Sequence, residues 1–260
     1  MSDIHIETEF KNFISLGYFC EVAEDLEKMG LRNTSSPFDW CITDFSKNIE
    51  LIENHFEGFM NYDNLAQSID DRNHYEDTRY NDFFFHDFTK YKPLSQQYDA
   101  VKAKYDRRIK RFLKNIESPT LFIRYISNEE KNFSGRSIEL EWIENNKDYV
   151  DQVLKSYNPD NQIIFIGDLN TRSDKIKIYN VEVDKGDIVS RSPIYNNVEL
   201  YPIMKKYRIE NQDYNKARYM LKWKKKNSFT TKLFSRSVAI FNKLFKRVYH
   251  HSKSYDIEGK

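Results

Sequence analysis

Of the side chains in this 260-residue chain that could make and break covalent bonds, Cys20 has the most suggestive setting. It follows Phe13-Ile14-Ser15-Leu16-Gly17, which reads as a short buried strand ending in glycine. Val22, Ala23, Leu26 and Met29 then recur at helical spacing, and Gly30 makes a natural stop. A cysteine in the first turn of a helix sits against unpaired N–H groups and a partial positive charge, which favour a thiolate. Gly17 permits a sharp turn and lets a substrate carbonyl approach, and spare amides near Cys20 would serve as an oxyanion hole. The chemistry this predicts is acyl transfer through a thioester. The competing reading is a small buried cysteine in a helix start.

A thiol nucleophile needs an imidazole within hydrogen-bond reach. His86 is the candidate, because it ends the aromatic run Phe83-Phe84-Phe85, read as a buried strand whose C-terminal end would present a site residue. The bland alternative is a histidine satisfied by Asp87 or a backbone carbonyl. His74 is a substitute on a polar loop, and His5, His250 and His251 lie near the termini. Three acids are candidates for the orienting group. Asp168 follows Gly167 at a strand end, Asp39 sits in the rigid turn Ser36-Pro37-Phe38-Asp39-Trp40, and Asp87 adjoins His86. Neighbours on a strand point to opposite faces, which disfavours Asp87. Cys20, His86 and Asp168 are the catalytic candidates, although spacing does not fix which acid is the third group, and Gly17, Asp39 and Arg124 are the candidates for substrate contacts. Arg124 lies within the apolar run from Thr120 to Ile126. A charge there must be paired or face a cleft, so it is either an ion-pair anchor or an anion binder. Two cysteines cannot close a cysteine-rich zinc site, and the histidines show no ligand spacing, so neither a metal nor a cofactor is expected.

Several elements must position these groups. Helical spacing is present from 44 to 57, 95 to 116 and 138 to 157. Continuous apolar runs at 120–126 and 162–168 read as buried strands, 176–183 as an edge strand, and 61–81 as a long surface loop. Buried strands alternating with amphipathic helices predict an α/β fold: a three-layer, mostly parallel sheet flanked by helices. Nineteen Phe and eighteen Tyr argue for a packed globule, and no apolar run reaches the roughly 20 residues of a membrane helix. The N-terminus has acids where a leader would be basic, and two cysteines suit a reducing compartment, so a cytoplasmic location is expected.

The net charge of +1 conceals a division. Residues 205–253 hold 15 Lys/Arg against 2 Asp/Glu, whereas residues 1–204 hold 25 against 36. The expected organisation is an α/β domain over 1–204 and a basic C-terminal helical appendage over 205–260. In the appendage, Leu233, Phe234, Val238, Phe241, Leu244, Phe245 and Val248 form one helical face. Such a tail docks on the acidic body or, through 231–250, on an anionic membrane surface such as the inner face of a cell membrane. Trp223 among lysines makes nucleic acid a weaker third partner.

Together, Ser15-Leu16-Gly17 with Cys20, Ala23 and Leu26, then Leu31-Arg32 and Ser36-Pro37-Phe38-Asp39-Trp40, resemble the opening signature of a bacterial family of papain-like cysteine peptidases of unknown function. Phe85-His86-Asp87-Phe88 and the segment Tyr105-Asp106-Arg107-Arg108 to Arg111-Phe112 extend the resemblance, which covers about residues 12 to 126. It implies Cys20 as nucleophile and His86 as base, in a setting of surface-polysaccharide assembly, with a peptide or glycan-linked substrate left open. It also implies an α+β papain-like alternative for the fold, in tension with the strand–helix alternation. The rival class is a non-catalytic module that holds anionic glycan intermediates through Arg124 and the tail.

Overall fold

The computed structural model describes residues 8–68, 75–89 and 91–229. Its centre is a parallel four-stranded sheet of β1 (Asn12–Ser15), β6 (Thr120–Tyr125), β7 (Gln162–Asp168) and β8 (Ile178–Val181), in that spatial order. Both faces are covered, which is why the sequence of these strands is almost continuously apolar. Alternate residues of the strands divide between two cores. Ile14, Phe122, Ile163 and Phe165 join α2 (Phe45–Glu53), α3 (Tyr98–Asn115) and α4 (Ile138–Tyr157) on one side. Phe13, Leu121, Ile123, Tyr125, Ile164 and Ile166 join α1 (Cys20–Lys28) and α5 (Leu200–Met204) on the other.

A second, antiparallel sheet is formed by β2 (Cys41–Ile42), β5 (Asp82–Phe84), β4 (Tyr75–Asp77) and β3 (Leu65–Gln67), in that order. It corrects the single-sheet expectation. The strands in the 61–81 segment are only three residues long, so their period-2 signal is too short to stand out. Phe84 belongs to this sheet, not to the parallel one, and pairs with Cys41 and Tyr75. The fold is thus mixed α/β with one parallel and one antiparallel sheet, and only half of its eight described strands are parallel.

Beyond residue 204, α6 (Gln212–Phe229) packs on α1. Gln212 Nε2 donates to Met29 O at 3.0 Å and Asn215 Nδ2 to Gly30 O at 3.3 Å, satisfying carbonyls at the C-terminal end of α1. No helix among the described residues is long and apolar enough to cross a membrane. The expected 231–250 amphipathic segment, His5, His74, His250 and His251 lie outside the described residues.

Candidate active site

Cys20 is the first residue of α1 and is half-buried. Its thiol donates to Glu21 Oε2 at 3.5 Å. Burial pushes the thiol well up, and the Glu21 and Glu24 carboxylates push it further. The helix terminus therefore does not prevail, contrary to the expectation of a ready thiolate. Desolvation and two adjacent anions outweigh the terminal amides. Glu21, which spacing did not single out, is itself pushed up to about 7 by burial. Cys41 is fully buried, with Sγ 3.1 Å from the Tyr105 hydroxyl, and burial pushes its thiol well up.

Gly17 has φ +83, and a cis peptide links it to Tyr18. A Cβ there would lie 2.6 Å from Thr43 Oγ1 and 2.8 Å from a guanidinium nitrogen of Arg124. The close approach that requires glycine is thus made by the protein's own side chains, not by a substrate carbonyl. Arg124 is fully buried, and all five of its N–H donors are engaged. Nε and Nη2 donate to the two Glu139 oxygens at 2.8 and 2.7 Å. Nη1 donates to Leu16 O at 2.6 Å and Thr43 Oγ1 at 2.9 Å, and Nη2 also donates to Thr43 O at 2.8 Å. Of its two expected roles, Arg124 occupies that of ion-pair anchor. It ties the strand-to-helix turn before Cys20 to Thr43, the residue after β2, and to Glu139 of α4.

Asp39, expected at the substrate, is likewise internal. Arg32 Nε donates to Asp39 Oδ2 at 2.9 Å and Ser36 N donates to the same oxygen at 2.8 Å, within a turn that buries Phe38 completely. Burial raises the Asp39 carboxyl and Arg32 opposes that rise. Arg32 also donates to Glu27 at 3.1 Å, whose other oxygen accepts from Lys222 of α6 at 2.6 Å. The Leu-Arg and Ser-Pro-Phe-Asp-Trp motifs therefore build scaffold.

His86 lies in the turn following β5 and is exposed, rather than at the end of a buried strand. The turn is held on several sides. Phe85 packs on the α1-side core, Phe88 is buried in the α3-side core, and the Asp87 carboxylate accepts from Tyr105 Oη at 2.7 Å and pairs with Lys104. Asp87 thus supports the histidine segment through α3, which accounts for the tyrosine of the Tyr-Asp-Arg-Arg motif. Phe19 and Phe85, the residues just before Cys20 and His86, pack against the same apolar cluster.

Asp168 ends β7 on the C-terminal edge of the parallel sheet. Its carboxylate accepts from Asn128 Nδ2 at 2.9 Å, from the Asn170 and Thr171 amides at 2.8 and 2.9 Å, and from Thr171 Oγ1 at 3.0 Å. Burial would raise it, but these donors win and hold it below the usual carboxylate value. Both Asp168 and Glu21 act electrostatically on the Tyr125 hydroxyl, which burial pushes well up. Cys20, Glu21, Tyr125 and Asp168 thus lie toward one end of the sheet. Among the described residues no three His, Cys, Asp or Glu side chains converge as metal ligands.

Residues 11–167 match the family described as "Putative papain-like cysteine peptidase (DUF1796)". The chain is also 30% identical over 194 residues to "Uncharacterized protein R408" of Acanthamoeba polyphaga mimivirus, covering 64% of this chain and 86% of that protein. No solved structure gives a significant match. The family match spans β1 through β7 and takes in Cys20, the Arg32–Asp39 turn, His86 and Arg124, so the chain belongs to this papain-like cysteine peptidase family.

Proposed function

We propose that the chain is a cysteine-dependent hydrolase or acyl transferase in which Cys20 is the nucleophile and His86 the general base. The observation that supports this reading is the packing of Phe19 and Phe85 on one cluster, since the half-buried Cys20 and the exposed His86 are the residues that follow them in the chain. Because the resting thiol is held protonated, the proton leaves as the bond forms, and no thiolate need exist beforehand. The sulfur electron pair attacks a carbonyl carbon while the S–H proton passes to the His86 imidazole. That proton then goes to the departing group, leaving a thioester on Cys20. Water or another acceptor cleaves the thioester with His86 as base. Amides of the first turn of α1 receive the carbonyl oxygen. Asp168, ionised at neutral pH, is the acid offered to the imidazolium. A setting in surface-polysaccharide assembly rests on the family resemblance alone.

The test is labelling of the full chain with a peptidyl vinyl sulfone, whose addition to sulfur needs both a nucleophile and a proton donor. Wild-type protein should label at Cys20. Cys20→Ala should abolish labelling, and His86→Ala should slow it at least about ten-fold with an unchanged melting temperature. Labelling of Cys20 that ignores His86 removes the imidazole from the reading.

A further inference from the structure

A cleft of about 380 Å3 is formed by residues of 42–46 and 127–142 together with Tyr18, Asn81 and Phe83, and neither Cys20 nor His86 is among its described lining residues. Tyr18, two residues before the cysteine, lines it from one side, and Phe83, three residues before the histidine, lines it from another. Trp142 of α4 adds a third ring, and the polar lining includes Asp44, Glu130 and Glu139. None of the twelve described lining residues is Lys, Arg or His. An anionic ligand therefore finds no counter-charge here, because the guanidinium of Arg124 is spent on Glu139, Thr43 and Leu16.

The three carboxylates are not equivalent. Asp44 caps α2, accepting from the Ser46 and Lys47 amides, and Glu139 is paired to Arg124. Glu130 is exposed and has no ion-pair partner among the described residues. The Tyr18 ring already faces the Arg124 guanidinium at 5.8 Å, so a cation entering the cleft meets the Phe83 and Trp142 rings and the Glu130 carboxylate, the combination that holds alkylammonium groups.

We infer that this cleft receives a lysine-like side chain of the substrate, an alkyl stem lying along the rings and an ammonium group held at Glu130. The inference rests on the proposed cysteine chemistry only in taking the occupant to belong to the substrate. It supplies a substrate class, a basic peptide, and disfavours anionic glycan intermediates as ligands of this cleft.

The experiment is a titration of the full chain with Nα-acetyl-lysine amide, read by tryptophan fluorescence with Trp142→Phe as the control for location. Saturable binding is expected, weakened about ten-fold when norleucine replaces lysine in the probe. Glu130→Gln should weaken it a few-fold, as for a partly exposed charge pair. Cys20→Ala should bind as wild type, so that loss of catalysis and loss of binding read out separately. Equal affinity for the norleucine probe, preference for N-acetylglucosamine, no effect of Glu130→Gln, a signal that survives Trp142→Phe, or no saturation with the lysine probe would each overturn it.

Discussion

The Cys20 thiol points its proton at the carboxylate of the residue that follows it, with Sγ and Glu21 Oε2 3.5 Å apart. That pair sets the resting state of the sulfur. An ionised carboxylate at this distance stabilises S–H and opposes S−, and Glu24 adds a second anion.

Replacing Glu21 by Gln removes the nearer charge while keeping the side chain's size. The thiol value should fall, and Cys20 alkylation by iodoacetamide at pH 7.5 should accelerate on the order of ten-fold. Since Glu21 titrates at about 7, the gain should be largest above that pH and shrink below it. Rates that are unchanged or slower in the variant would show that Glu21 does not restrain the sulfur.

Arg124→Met leaves the largely buried Glu139 without its cation and removes one donor each from Leu16 O, Thr43 Oγ1 and Thr43 O, the first two of which still accept from Asn48 Nδ2. A loss of about 3–5 kcal/mol in unfolding free energy is expected from chemical denaturation. The double change Arg124→Met with Glu139→Leu should recover part of it, because no orphaned charge remains. No recovery in the double variant would mean that the acceptors, not the carboxylate, dominate.

Tyr105→Phe removes the hydroxyl shared between Asp87 and Cys41. A hydrogen bond to a charged group is worth roughly 1.5–3 kcal/mol, so the melting temperature should drop by several degrees. The His86 ring resonances in an NMR spectrum should shift with it, because Asp87 no longer anchors the turn from α3 as tightly. Unmoved His86 resonances would uncouple the turn from that helix.

Asp82 is fully buried, opposite Asp77 across β5 and β4, and both its carboxylate oxygens lack a hydrogen-bond partner among the described residues. Burial, aided by Asp77, pushes it well above the ordinary value. An acid raised on folding favours the folded state below its unfolded value and costs stability as pH rises through the folded one. Asp82→Asn should therefore stabilise the protein at pH 7 by on the order of 1–3 kcal/mol, with the gain fading toward pH 4. A gain that stays constant with pH would exclude titration as its origin.

Much of the parallel half could be read directly from the residues. α4 at Ile138–Tyr157 and β7 at Gln162–Asp168 match their periodic or continuous apolar segments, because long elements buried against two layers write strong patterns. Of the antiparallel half only β5 was legible, from the aromatic run Phe83-Phe84-Phe85, because the two- and three-residue strands β2, β3 and β4 leave no period to count. The site divides in the same way. Cys20 at the start of α1 followed from Gly17 and the helical spacing behind it. The engagement of Arg124 and Asp39 inside the fold needed the third dimension, since Glu139 and Thr43 come from distant parts of the chain. Glu21 was invisible because a charged residue in a first helical turn ordinarily faces water.

The carbonyls of Met29 and Gly30 are answered by amide side chains from α6, and Lys222 of the same helix reaches Glu27. Trimming the chain at residue 204, where composition invites a cut, would unbolt the far end of the very rod that presents the sulfur. A shortened protein that expresses well but does nothing would then report on lost bracing, and shortening experiments on this chain are best ended no earlier than residue 224.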